Sequence, residues 1–247
     1  MNSEKLSQRL QVVADFITKY GQAPIRLADI GSDHAYLPSS LILSGAIEYA
    51  VAGEVVQGPY SSAIAEVEKN DLCDQIKVRL ADGFDAIELE DRINCVSICG
   101  MGGGLICSIL DGGKEANKLP QMLVLQANTA MAKVREWLQN NNYKIIDEEF
   151  IEEKNQFYEI LLAEQVGQKV TYTEKEFYFG PILLKDRSPI FIEYWRRELD
   201  HLIFILKQLK KGDSTEFLSQ DRQTKLNQIF REINRIEEVL GIDAADL

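Results

Sequence analysis

The sequence predicts an α/β protein: a mostly parallel sheet covered by helices on both faces, followed by a C-terminal antiparallel coiled-coil hairpin of two helices. Three observations carry that prediction. From residue 25 to about 164, short apolar runs alternate with segments of helical spacing, the pattern of a parallel sheet with helical crossovers. The last two extended runs are separated only by Lys154 and Asn155, a link so short that the two must pair as an antiparallel hairpin. Beyond residue 181 the apolar period changes to alternating steps of three and four, which is the spacing of a coiled-coil seam.

Taken in chain order, the N-terminal segment places Leu6, Leu10, Val13 and Ile17 on one helical face and reads as a folded helix, not a targeting peptide. Strands are expected at 25–31, 49–55, 75–81, 94–100 and 122–127, with helices filling the gaps. Pro38 and Pro59 suit the first turn of a helix, where a missing N–H costs little, and Gly112 and Gly113 suit a helix exit. The runs 143–153 and 156–165 form the hairpin. A parallel sheet that ends this way is typical of S-adenosylmethionine methyltransferases, an analogy at the level of fold alone. Ile192, Trp195, Leu199, Leu202, Leu206 and Leu209 form one seam, and Leu226, Ile229, Ile233, Ile236 and Leu240 form the second. The break at Gly212, Asp213 and Ser214 supplies the turn between them. Two domains are expected, residues 1–167 and 168–247.

Composition narrows the function classes. Hydrophobic residues make up 45% of the chain and charged residues 27%, and no run approaches the roughly 20 apolar residues that span a bilayer, so no membrane association is expected. The four cysteines, Cys73, Cys95, Cys99 and Cys107, stand in apolar stretches without a CxxC pair, and only two histidines accompany them. No zinc-type ligand set results, no metal is expected, and the natural setting is a reducing cytoplasm. Cys95 and Cys99 are expected on one face of a strand as small core residues. A net charge of −12 opposes a polyanionic partner on average, though an average hides local patches.

The candidate chemistry gathers at strand ends, where ligands of open α/β sheets bind. Asp29 and Gly31 close the first strand. Gly31 allows a tight turn and close approach of a ligand, while Asp29 either orders the loop or receives an ammonium through water. Asp33 and Ala35 stand where a dinucleotide fingerprint repeats its glycines, and Asp33 would repel a pyrophosphate but not a cationic sulfonium. Glu54 ends the second strand, placed to accept from both ribose hydroxyls of an adenosine. Asp82, followed by Gly83, ends the third, placed to accept from an adenine amino group. Each acidic tip alone reads equally well as a cap or turn residue; their recurrence at consecutive strand ends is the stronger sign. The glycine run Gly100, Gly102, Gly103, Gly104 around Met101 lets backbone lie against a flat base or the transferring methyl. Gln126 and Asn128 reach a base edge or cap a loop.

In order along the chain, DIGSDHAYLP, GEVVQGPYSSA, ADGF, CGMGGGLI and LVLQAN resemble the bacterial tRNA (adenine-22-N1)-methyltransferase family over most of the length. The sequence departs from the expected pattern at Ala127, where that family is expected to carry proline. The resemblance implies a class I, Rossmann-like methyltransferase domain with a C-terminal coiled coil, S-adenosylmethionine as cofactor and tRNA as substrate. It implies that adenine N1 attacks the sulfonium methyl, with Asp33 serving the cationic base by charge or as a base, and His34 and Tyr36 orienting or stacking it. Extracting a stacked base costs a few kcal/mol, which contacts from the helical hairpin would offset. Residues 181–235 hold eleven Lys/Arg against eight Asp/Glu, including Arg196, Arg197, Lys207, Lys210 and Lys211. Such an excess is also ordinary for a solvated helical surface. A homodimer through the coiled coil is permitted but not required. The competing readings are a methyltransferase acting on a small molecule, favoured by the acidic charge, and a non-catalytic nucleotide-binding assembly protein.

Overall fold

The computed structural model describes residue 3, residues 5–211 and residues 220–241. Helix α1 (Gln8–Tyr20) precedes β1 (Arg26–Ile30), α2 (Tyr36–Leu43), β2 (Tyr49–Glu54), α3 (Gln57–Lys69) and β3 (Ile76–Leu80). Two 3-10 turns, Gly83–Ala86 and Leu89–Asp91, lead to β4 (Cys95–Gly102), α4 (Gly103–Glu115), β5 (Met122–Thr129) and α5 (Met131–Asn140). The sheet ends with β6 (Tyr143–Glu153) and β7 (Gln156–Gln165); α6 (Glu174–Phe179), α7 (Leu183–Asp186), α8 (Pro189–Lys211) and α9 (Gln220–Leu240) follow. The observed strands match the expected ones to within one or two residues.

One seven-stranded sheet runs in the order β3-β2-β1-β4-β5-β7-β6. Strands β1 to β5 pair in parallel, and β7 is antiparallel to both β5 and β6. The order reverses direction between β1 and β4, which opens a crevice at the carboxyl ends of those strands. Lys154 and Asn155 both adopt positive φ, 54° and 62°, the conformation a two-residue hairpin turn demands.

The continuous apolar strands are explained by burial on both faces. In β5, Met122 and Val124 belong to the core beneath α1, α2 and α3, whereas Leu123 and Leu125 belong to the core beneath α4 and α5. Cys95 is buried in the first core and Cys99 packs against it, sharing a face as expected. Cys73, by contrast, is exposed. Pro38 and Pro59 fall in the first turns of α2 and α3. Gly112 and Gly113 do not end their helix: α4 continues to Glu115, and a Cβ on Gly113 would lie 2.7 Å from the Phe84 ring. Gly113 is required by close packing of α4 on the first 3-10 turn.

The chain separates into two compact units, Met1–Ile182 and Leu183–Leu247. Residues 168–182, expected with the helical domain, belong to the first unit. There the fully buried Arg135 of α5 donates to Glu148 of β6 and to the carbonyl of Phe177, and Glu148 accepts the N–H of Ile182 at 2.8 Å. In the second unit, α8 buries Phe191, Trp195, Leu199, Leu202 and Leu206. Helix α9, packed along α8, buries Leu226, Ile229, Ile233, Ile236 and Val239. Near the end of α9 it is Val239 that is buried, and the expected Leu240 is only half-buried. The expected turn at Gly212 to Ser214 lies outside the described residues. No helix among the described residues is long and apolar enough to cross a membrane.

Candidate active site

The carboxyl ends of β1, β2 and β4 bring the predicted residues to one edge. At the end of β1, Asp29 is buried and accepts hydrogen bonds from the hydroxyls of Ser32 and Ser97, each at 2.6 Å. Burial pushes its carboxyl above the ordinary range, and the two hydroxyls oppose that shift. Of the two roles expected for Asp29, ordering the loop is the one its contacts display. Gly31 follows with φ of 73°, and a Cβ there would collide with the Met101 methyl. The Met101 side chain thus lies over Gly31 and bridges β4 and β1.

Glu54, at the end of β2, is also buried, which raises its carboxyl. Its Oε1 accepts the backbone N–H of Asp33, while Oε2 has no partner among the described residues. One oxygen therefore holds the β1–α2 loop and the other remains available to a hydroxyl. Asp82 stands at the cap position of the first 3-10 turn but makes no side-chain capping bond, and its exposed carboxylate meets no described residue. The cap role is unused, which leaves the carboxylate for a ligand. Beside it Gly83 adopts φ of 49°. A cleft of about 210 Å³ opens there, walled by Asp82, Gly83, Phe84, Leu105, Ser108 and Ile109. Asp85 also lines it, so the apolar side chains of Phe84, Leu105 and Ile109 stand beside two carboxylates and the Ser108 hydroxyl, a mixture that suits a flat base carrying an amino group.

A second, smaller cleft of about 50 Å³ is lined by Arg9, Asp29, Gly31, Asp33, Tyr36 and Cys99. Of the three residues expected to serve the acceptor base, Asp33 and Tyr36 line it and His34 contacts both of them. The Asp33 carboxylate lies 3.5 Å from His34 Nε2, and the His34 and Tyr36 rings stack with centroids 5.0 Å apart. Asp33 itself has φ of 60° and is exposed.

The glycine run has separate causes at each position. Strand β4 carries a bulge where its register to β5 shifts around Met101, and Gly100 takes φ of 80° there. A Cβ on Gly102 would sit 3.4 Å from Thr129 Oγ1, and one on Gly103 would collide with the Ala130 carbonyl. Gly103 therefore serves packing against the end of β5, whereas Gly102 is only half-buried at the sheet edge. Gln126, fully buried, accepts the Gly100 N–H at 2.9 Å and donates to Asn128 at 3.0 Å; Asn128 donates back to the Gly100 carbonyl at 2.8 Å. This closed ring clamps the Gly100 peptide from both sides. Asn128 is thus brought to the edge, but its amide is committed to fixing Gly100.

Sequence reasoning missed Arg9, Ser32, Ser97 and Tyr158. Arg9 of α1 donates to Gln126 Oε1 at 2.6 Å, and its guanidinium lies 5.4 Å from the centroid of the Tyr158 ring. No local signal marks it, because its partner is 117 residues away.

In the second unit, Arg196 and Arg197 are exposed and border an open cleft of about 590 Å³ together with Arg187, Pro189 and Ile192. Arg197 pairs with Glu193 one turn away, and Lys207 is exposed. The side chains of Lys210 and Lys211 lie outside the described residues. No group of three or more His, Cys, Asp or Glu side chains is arranged for a metal among the described residues.

Residues 27–238 match the sequence pattern of a family described as tRNA (adenine(22)-N(1))-methyltransferase. A tRNA (adenine(22)-N(1))-methyltransferase of Bacillus subtilis is 37% identical over 244 residues, covering 97% of this chain and 99% of that protein. The crystal structure of a Streptococcus pneumoniae protein in complex with S-adenosyl-L-methionine superposes with a TM-score of 0.83 at 37% identity, covering 96% of this chain and all of that one. A Mycoplasma capricolum TrmK in complex with S-adenosyl-homocysteine does so with a TM-score of 0.79 at 28% identity, covering 96% and 98%.

Proposed function

The chain belongs to the tRNA (adenine(22)-N(1))-methyltransferase family, and on that premise we propose how its own residues carry the transfer of a methyl group from S-adenosylmethionine to N1 of adenine 22 in tRNA. The observation that carries the assignment of the edge is the pair of uncommitted acceptors at consecutive strand ends, Glu54 Oε2 and the Asp82 carboxylate, the second of them in the wall of a cleft with Phe84, Leu105 and Ile109. Glu54 accepts from the ribose and Asp82 from the adenine amino group. Gly31 and Met101 bring backbone and thioether close to the sulfur, and Gly83 and Gly100 shape the two walls.

The bound cofactor supplies a methyl group on a cationic sulfur, electrophilic enough for direct in-line transfer to nitrogen. The protein's part is to position, desolvate and neutralise. Asp33 holds its exposed carboxylate beside the stacked His34–Tyr36 pair. Adenine N1 gains positive charge as it is methylated, and a carboxylate facing that base stabilises the charge or takes the N6 proton. The His34–Tyr36 stack offers an aromatic platform for an extruded base.

The unit Met1–Ile182 serves as the methyltransferase domain. Arg196, Arg197, Lys207, Lys210 and Lys211 of the second unit contact tRNA phosphates. The acceptors and the aromatic platform come from one chain, so a coiled-coil dimer is not needed for chemistry. With tRNA as the substrate, the cytoplasm is the compartment this reading calls for.

Incubation with methyl-labelled S-adenosylmethionine and unmodified tRNA tests the assignment. Label is expected in 1-methyladenosine at position 22. Cofactor binding with no labelled nucleoside would point to a small-molecule acceptor, and no cofactor binding to an assembly role.

A further inference from the structure

We propose that the exposed Phe204 of α8 stacks on an unpaired base of the tRNA, a contact of another kind than the phosphate contacts of the basic residues around it. The proposal rests on the reading above, in which the second unit grips tRNA, and adds to it a side chain without charge. Helix α8 buries Trp195, Leu199, Leu202 and Leu206, at steps of four, three and four. Arg197, His201, Phe204 and Gln208 repeat those steps two residues later, and all four are exposed. Two residues turn an α-helix by about 200°, so this stripe lies on the side of α8 opposite its buried seam. Phe204 is 59% exposed there, and its ring meets no aromatic or cationic side chain among the described residues.

A lone exposed phenylalanine is ordinary on a protein surface; the surroundings of this one are not. From His201 to Lys211 the chain carries three lysines and no aspartate or glutamate, although acidic residues outnumber basic ones by 39 to 27 overall. Within four positions of Phe204 on either side, Asp200 is the one acidic residue. Lys207 is exposed one turn beyond the ring, and Arg196 and Arg197 are exposed two turns before it. An aromatic ring set among cations is the arrangement that holds single-stranded nucleic acid: the cations follow the phosphates while a base lies on the ring. Every base has a π-face, so the contact asks for an unstacked base and not for a sequence. A second copy of the chain suits the surface less, since a twofold contact would put the same lysines on both sides, where like charges repel.

The test is filter binding of the full chain to unmodified tRNA across a salt series, with calorimetry against S-adenosylhomocysteine on each variant. Phe204→Ala is expected to weaken tRNA binding by about tenfold at every salt concentration. It keeps the wild-type slope of log affinity against log salt, because no phosphate contact is lost. Phe204→Leu, apolar but without a ring, falls with it, and Phe204→Trp keeps wild-type affinity. Lys207→Gln, by contrast, makes the slope shallower by about one. Affinity for S-adenosylhomocysteine stays unchanged throughout. Wild-type tRNA affinity in Phe204→Ala or Phe204→Leu, beside a shallower slope in Lys207→Gln, overturns the proposal alone. So does a wild-type dimer, seen by sedimentation, that Phe204→Ala dissociates. Wild-type affinity and slope in both Phe204→Ala and Lys207→Gln would instead take the tRNA grip away from the second unit.

Discussion

Glu54 and Asp82 both end a strand in a carboxylate but differ in what else that carboxylate does. Glu54 is buried and spends one oxygen on the Asp33 N–H, so its removal would disturb both the loop and any ligand. Asp82 is exposed and bonded to nothing described, so its contribution to folding is small and its contribution to a ligand is separable. Asp82→Ala is therefore expected to change folding stability by no more than about 0.5 kcal/mol while weakening S-adenosylhomocysteine by about tenfold. Calorimetry paired with thermal unfolding checks this, and intact affinity would remove Asp82 from the adenine wall. Asp29 illustrates the opposite case. Its position at the end of β1 was readable from the sequence, but its commitment to Ser32 and Ser97 was not, because Ser97 lies on a strand 68 residues away.

Among the elements, the connection from β3 to β4 shows how a loop that presents site residues is kept rigid. Arg79 donates to the Ala86 carbonyl at 2.7 Å and pairs with Asp91; the Tyr49 hydroxyl donates to the same carboxylate at 2.7 Å, and Arg26 lies 4.2 Å from the centroid of the Tyr49 ring. Burial, helped by the neighbouring Asp91 carboxylate, pushes the Tyr49 hydroxyl up from its ordinary 10.0 to about 12. The folded chain thus holds that proton more tightly than the unfolded chain. The resulting stability is complete below pH 10.0 and is lost as pH rises through about 12. Tyr49→Phe is expected to cost about 1–2 kcal/mol at neutral pH and to flatten the wild-type decline in that alkaline window, as denaturant unfolding across the range will show. An unchanged decline would place its origin in other groups. The two 3-10 turns that depend on this cluster were not legible in the sequence, since their hydrogen bonds come from side chains on three separate strands and turns.

On the scale of the whole molecule, the first unit carries 16 Lys/Arg against 27 Asp/Glu and the second 11 against 12, so the second unit is near neutral and its basic excess is confined to the residues before 236. The acidic excess lies outside residues 181–235, where basic residues outnumber acidic ones by eleven to eight. Phosphate contacts by those residues would make tRNA affinity fall steeply with salt. A chain ending at Ile182, the boundary of the first unit, is expected to keep S-adenosylhomocysteine binding and to lose most of its tRNA affinity. Filter binding against a salt series will decide. Full tRNA affinity in the shortened chain would move the RNA grip to the first unit.

What the sequence determined by itself is the order of the seven strands, the tight turn at Lys154 and Asn155, the apolar faces of the two long helices α8 and α9 and the acidic residues at strand ends. Each of these depends on apolar period or turn chemistry within a few consecutive residues. What only the tertiary structure decided is which of those residues remain free. Arg9 meets Gln126 across 117 residues, Gly113 makes room for Phe84, and Glu54 gives one oxygen to Asp33 and keeps the other. Such pairings follow from strand order and from how helices settle on the sheet, and no local pattern encodes them.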